Sequence, residues 1–215
     1  MNRWLSTALV AKLALVVVLL GVGFQARQAS AQTHVYDAIG RLVWSTQPSG
    51  ASSAQTYDAN GNLTSTASVA AGTDSNGNGI PDSYEMQYTG SRTGMDAMAN
   101  PSHDGVTNLM KFALGLNPGL PDGVDLTTLS VVTSDGVGHL TLEYLRPKEG
   151  TLLLNYLVEV STDLVAGSWS SAPEVVQQIS AVDQGGGLEL VTMQALAPMN
   201  SQSRMFMRLR VVTKP

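Results

Sequence analysis

The chain has 215 residues, with 12 lysines and arginines against 17 aspartates and glutamates, a formal charge of −5, and no cysteine. An acidic chain is a poor partner for nucleic acid or anionic membranes, which recruit proteins through Lys and Arg. With no thiol, no disulfide can staple the fold, so stability must come from packed apolar surface and from bound ions.

At the N-terminus, Arg3 and Lys12 flank a start that leads into a short apolar run over residues 13–24, and Ala29-Ser30-Ala31 offers small side chains ahead of Gln32. This is the layout of a secretory signal peptide over residues 1–31, with an uncleaved anchor as the alternative; the run is short for a membrane span. Cleavage would remove Arg3, Lys12 and Arg27 but no acid, leaving 9 basic against 17 acidic residues and a net charge of −8. The mature chain is expected to be secreted or held at the cell surface, with no membrane span and no nucleic-acid partner.

Residues 32–73 carry an internal repeat. Tyr36-Asp37-Ala38-Ile39-Gly40-Arg41-Leu42 is echoed by Tyr57-Asp58-Ala59-Asn60-Gly61-Asn62-Leu63, a period of 21. Each unit opens on Tyr-Asp, turns at its glycine and begins a strand at Leu42 or Leu63. The pair resembles the YD repeats of the RHS family, whose arrays form β-rich shells and filaments on bacterial surfaces. Two copies are fewer than the three or so that stacked units normally need, so this segment reads as a partly flexible hairpin extension anchored by Trp44. The Ser/Ala/Gly-rich stretches 47–55 and 65–73 read as linkers.

Residues 74–118 carry the most specific signal. Asp74-Ser75-Asn76-Gly77-Asn78-Gly79-Ile80-Pro81-Asp82-Ser83-Tyr84-Glu85 places oxygen-bearing side chains at positions 1, 3, 5, 9 and 12 and glycine at 6. That is the ligand spacing of a Ca²⁺ loop, because a hard cation with six to eight oxygen ligands forces the backbone to curl around a point. Asp74, Asn76 and Asn78 would supply side-chain oxygens and Ile80 its carbonyl. Asp82 would contribute directly or through water, and Glu85 would close the shell with both carboxylate oxygens. A hairpin turn at Asn-Gly-Asn-Gly is the plainer alternative, but it leaves the acids unexplained. With asparagine at positions 3 and 5 the charge count is low, which points to the affinity of extracellular modules, about 10⁻⁴–10⁻³ M. A short helix is expected over 83–88, stopped near Gly90.

A second loop follows at Asn100-Pro101-Ser102-His103-Asp104-Gly105-Val106-Thr107-Asn108-Leu109-Met110-Lys111, with weaker candidate ligands at Asn100, Ser102, Asp104 and Asn108. Lys111 stands at position 12 and cannot coordinate a cation. This loop binds weakly, lends Asp104 to the first site, or only keeps the turn shape. A helix is expected over 107–114, ended by Gly115 and blocked by Pro118. The two loops resemble dockerin-like and thrombospondin type 3-like repeats of secreted bacterial proteins, with the first loop matching at Asp74, Asn76, Asn78, Gly79, Ile80, Pro81, Asp82 and Glu85. The second departs at Asn100, Ser102 and Lys111, where acids or long polar residues are usual.

Residues 126–215 alternate with the two-residue period of half-buried strands. Leu140, Leu142 and Tyr144 share a face opposed by Thr141 and Glu143. Leu154, Tyr156, Val158 and Val160 repeat the pattern, as do Met205, Met207, Leu209 and Val211 against Arg208 and Arg210. Further strands are expected near 129–133, 175–180 and 188–193, which together favour an antiparallel β-sandwich. The phrase from Tyr156 to Leu164 followed by Trp169 resembles C-terminal sandwich modules broadly similar to fibronectin type III, with Trp169 expected to plug one end of the core.

No paired histidines, nucleophile elbow, zinc helix or phosphate loop appears; His34, His103 and His139 fall in three different segments. The sequence thus predicts a mainly β chain with three parts: an N-terminal YD-repeat hairpin segment, a short helical calcium-loop connector and a C-terminal antiparallel sandwich. The expected role is a secreted, calcium-stabilised, non-enzymatic structural or interaction protein. A dockerin-like or carbohydrate-binding module for a protein or polysaccharide partner is the main alternative, and a hydrolase or processing fragment descended from a larger RHS-type protein the lesser one.

Overall fold

The computed structural model describes residues 32–122, 126–134 and 136–215. The segment read as a signal peptide, residues 1–31, lies outside the described residues. Among the described residues no helix is long and apolar enough to cross a membrane.

The chain is mainly β, as its alternation predicts. Four N-terminal strands, β1 (Thr33–Tyr36), β2 (Leu42–Thr46), β3 (Ser52–Tyr57) and β4 (Leu63–Val69), form an antiparallel meander in chain order. Both Tyr-Asp units build the same turn. Asp37 Oδ1 accepts the backbone N–H of Ile39 and Arg41, and Asp58 Oδ1 accepts those of Asn60 and Asn62. Gly40 (φ +84°) and Gly61 (φ +88°) take the left-handed conformation that the turn requires. Arg41 and Asn62 then return to the second oxygen of the same aspartate at 2.7 and 2.9 Å. These contacts hold both aspartates below the usual carboxylate range, led by the Arg41 N–H for Asp37 and the Asn62 side chain for Asp58. Successive units are joined where Arg41 lies 4.6 Å above the Tyr57 ring and the Tyr57 hydroxyl donates to the Leu42 carbonyl.

Much of the two Ser/Ala-rich stretches read as linkers is strand. Their small polar side chains pair across the ladder, Ser45 with Ser53 at 3.0 Å and Thr56 with Ser65 at 2.7 Å. Trp44 is fully buried, as its role as anchor required.

The connector holds α1 (Asp82–Thr89) and α2 (Asn108–Ala113). Gly90 (φ +72°) ends α1 in the left-handed conformation. Thr107 caps α2 by accepting the Met110 N–H, and Gly115 (φ +66°) follows its end. The C-terminal part has β5 (Thr128–Ser134), β6 (Val137–Pro147), a single turn α3 (Gly150–Leu153), β7 (Leu154–Ser161), β8 (Val176–Gly185), β9 (Leu188–Pro198) and β10 (Phe206–Thr213). One sheet runs β5-β6-β9-β8 and the other pairs β10 with β7, all antiparallel. Leu140, Leu142, Tyr144, Val158, Val160, Val191 and Met207 fill the space between them, the faces that alternation predicts.

Trp169 departs from its expected place. It is half-buried, with the Arg208 guanidinium 4.2 Å from its ring centre rather than core on both sides.

The connector is not a spacer. Ile80, Met95, Phe112, Ala113 and Leu154 form a second core where it meets one end of the sandwich. The Tyr156 hydroxyl donates to the Ala113 carbonyl and the Tyr84 hydroxyl to that of Leu116. Gly187 (φ +81°) abuts Pro48 of the first sheet so closely that a Cβ there would lie 1.9 Å from the Pro48 carbonyl oxygen.

Candidate metal centre

The first loop is built around two acids. Asp74 Oδ1 accepts the N–H of Gly77 and Asn78, and its Oδ2 accepts that of Gly79 at 2.8 Å. The side-chain oxygens of Asn76 and Asn78 each accept an N–H two residues on, from Asn78 and Ile80. Gly79 is indispensable to this path: its φ is +85°, and a Cβ would sit 2.4 Å from Thr213 Cγ2.

Glu85 closes the loop from the first turns of α1. Its Oε1 accepts the side-chain N–H of Asn76 (3.3 Å) and Asn78 (2.9 Å) and the backbone N–H of Met95 (3.2 Å). Its residue exposure is 0 %, and Oε2 is buried with no hydrogen-bond partner. Burial raises the carboxyl above its ordinary value and Asp74 adds to this, while Asn78, Asn76 and Met95 pull it back. A buried carboxylate with an orphaned oxygen and no cationic side chain bonded to it is costly. A divalent cation would satisfy that oxygen. The Asn76 amide carries an oxygen and a nitrogen on one carbon, so a half-turn would present oxygen to Glu85 in place of N–H, whereas the Asn78 amide is held as it stands, its Nδ2 donating also to the Met95 carbonyl at 2.9 Å and its Oδ1 accepting the Ile80 N–H. Asp74, Asn76 and Glu85 are the residues that would hold such an ion.

Asp82 has a different place. Its Oδ1 accepts the Ser75 N–H at 2.8 Å, its Oδ2 the Ser75 hydroxyl at 2.7 Å, and Arg92 lies 3.7 Å away. Among the described residues no group of three or more His, Cys, Asp and Glu side chains is placed to hold a metal. The oxygen set around Glu85 therefore has two carboxylates, with the Asn76 amide completing it.

The second loop holds a cation already. The Lys111 ammonium, fully buried, bonds Asp104 Oδ2, Asp122 Oδ2 at 2.6 Å and the Leu120 carbonyl at 2.7 Å. Asp104 Oδ2 also accepts the Asp122 N–H at 2.8 Å, and Oδ1 that of Val106. These contacts hold its carboxyl far below the usual range, the Asp122 N–H contributing most and Lys111 next. Asn100 accepts from the Ser102 hydroxyl and the Asp104 N–H. Asn108 donates to the Asp96 carbonyl and leaves its oxygen buried without a partner. The loop keeps the turn shape, and Lys111 donates where a twelfth-position acid would accept. Asp122 escaped the sequence reading, since nothing in spacing ties it to a loop ending eleven residues earlier.

Glu149 was also unforeseen. Its carboxylate accepts the Gly72 N–H at 2.9 Å and the Ser83 hydroxyl at 3.1 Å, joining the YD segment, α1 and the sandwich. Burial raises it, partly offset by those two donors.

A family model for the RHS repeat matches residues 36–74, the two Tyr-Asp turns and their strands. No curated protein and no solved structure matches the chain.

Proposed function

We propose that the chain is a secreted or cell-surface, non-enzymatic structural and interaction protein whose connector is stabilised by one Ca²⁺ in the loop from Asp74 to Glu85. The RHS-repeat match supports the coarse reading, a structural or interaction protein at a bacterial surface. The dockerin-like character of the connector and the fibronectin III-like character of the sandwich belong to the proposal. The observation that carries the calcium reading is the orphaned oxygen of Glu85, buried beside Asp74, Asn76 and Asn78. Neutralising it would clamp the start of α1 to the loop and to Met95.

The test is titration calorimetry with Ca²⁺ on the chain from Gln32 onward, together with melting in Ca²⁺ and in chelator. One site is expected. At a Ca²⁺ level about a hundredfold above Kd, linkage stabilises the fold by about 2.7 kcal/mol. Glu85→Gln should abolish both heat and shift. No heat and no shift in the unmodified chain would remove the ion from the account.

A second reading, a glycan-binding module, has one observation in its favour. A cavity of about 920 Å³ opens between the first sheet, α1 and the sandwich, with Gln47, Tyr84, Tyr88, Asn117 and Glu149 among its lining and no Lys, Arg or His. Aromatic faces, amides and carboxylates suit neutral sugar hydroxyls, and retention of the chain on a glycan array, lost in Tyr88→Ala, would favour this reading.

A further inference from the structure

The two sheets of the sandwich are unequal. β10 lies across from β6 and β7 across from β8, while the larger sheet runs on past β6 to β5. Among the described residues, no strand covers β5 from the other sheet. The consequence shows in its side chains. Leu129 pairs with Leu142 and Val131 with Leu140, so both point to the core face, yet they are 53 % and 54 % exposed, while Leu140 and Leu142 are buried.

Among the described residues, a free edge borders the open place. The Lys214 N–H donates to the Leu153 carbonyl, and the β10–β7 register runs without a break from Phe206 to Thr213. Strand alternation then turns the backbone groups of Arg208, Arg210 and Val212 toward β7, and those of Met207, Leu209, Val211 and Thr213 to the free side. An unpaired row of N–H and C=O groups beside an uncovered apolar floor is the geometry of strand addition.

We infer that this slot, between the β10 edge and Leu129 and Val131, receives an extended segment of another polypeptide that alternates apolar and acidic residues. Its inward side chains would cover Leu129 and Val131. Its outward ones would lie beside Arg208 and Arg210, two half-exposed guanidiniums that share the single carboxylate of Glu159 at 2.7 and 2.9 Å and leave net positive charge on that face. The same pair disfavours a second copy of this chain, because antiparallel pairing of two β10 strands about Leu209 sets Arg208 against the other copy's Arg210. The inference names the partner class for the interaction protein proposed above, but needs no ion.

The probe is a short blocked peptide of alternating valine and glutamate, measured by fluorescence anisotropy on the chain from Gln32 onward, in Ca²⁺ and in chelator. Binding is expected to fall by about tenfold or more when lysine replaces glutamate, or when the amides facing β10 are N-methylated. Val131→Asp, at an exposed position that leaves melting unchanged, should weaken binding by a similar factor. Arg210→Gln should remove the preference for glutamate over lysine. Equal binding of all peptides, absence of binding, or indifference to Val131→Asp would overturn the inference. So would a concentration-dependent dimer that Val131→Asp dissolves, which would make a second copy the occupant. Peptide selectivity without any heat of Ca²⁺ binding would sink the calcium reading alone.

Discussion

Lys111 is a full positive charge sealed away from solvent, held by Asp104, Asp122 and a carbonyl. A buried ion pair adds little over a well-packed apolar pair, but removing one partner strands the other. Lys111→Met should therefore lower stability by about 3–5 kcal/mol in chemical denaturation, with or without Ca²⁺. The pH dependence has a definite sign. Asp104 is held below its ordinary 3.8, so its contribution is present above that value and is lost as pH falls through the folded-state value. Lys111→Met should flatten this acid limb, which denaturation at several pH values between about 2 and 5 would show. A limb as steep as that of the unmodified chain would mean that the Asp122 N–H alone holds Asp104 ionised.

Among the elements, the abutment of Gly187 on Pro48 fixes how the first sheet meets the sandwich. Gly187→Ala puts a Cβ into the Pro48 carbonyl and strains a positive φ, at a cost of about 1–3 kcal/mol. It should undock the first sheet, and limited proteolysis near residues 70–73 should accelerate while the sandwich stays intact. Unchanged cleavage would show that Glu149 and the Gly72 contact carry the junction without it.

The strands of the sandwich were legible because one face of each is apolar, as with Leu140, Leu142 and Tyr144. Both short helices were legible from their stop signals at Gly90 and Gly115. The third strand of the YD sheet and most of the fourth were hidden, because serine and threonine on both faces carry no hydrophobic period. Only the pairing of Ser45 with Ser53 and Thr56 with Ser65 shows why they are strands. In the candidate site, spacing pointed to Asp74, Asn76, Asn78 and Glu85, which the structure brings together in one loop. It could not separate Asp82, which has the right position but turns to Ser75, or find Asp122 and Glu149, whose partners are distant in the chain.

At the scale of the whole molecule, Glu149 is the carboxylate at which all three parts meet. Burial raises it above its ordinary 4.5, so the folded state holds its proton more tightly than the unfolded state does. Its stabilisation is then complete below that value and is lost as pH rises through the folded-state value. Glu149→Gln should reduce the fall in melting temperature between about pH 4.5 and 7; an unchanged slope would place that pH dependence elsewhere.

The YD sheet follows chain order, and each 21-residue period contributes two strands, a number that restores the direction of travel. A further period inserted ahead of β2 would extend the border at β1 and leave the Pro48 abutment in place. Unequal crossing-over between the tandem copies would thus lengthen or trim this surface in whole increments, each added strand being laid down on the side where β1 meets α1.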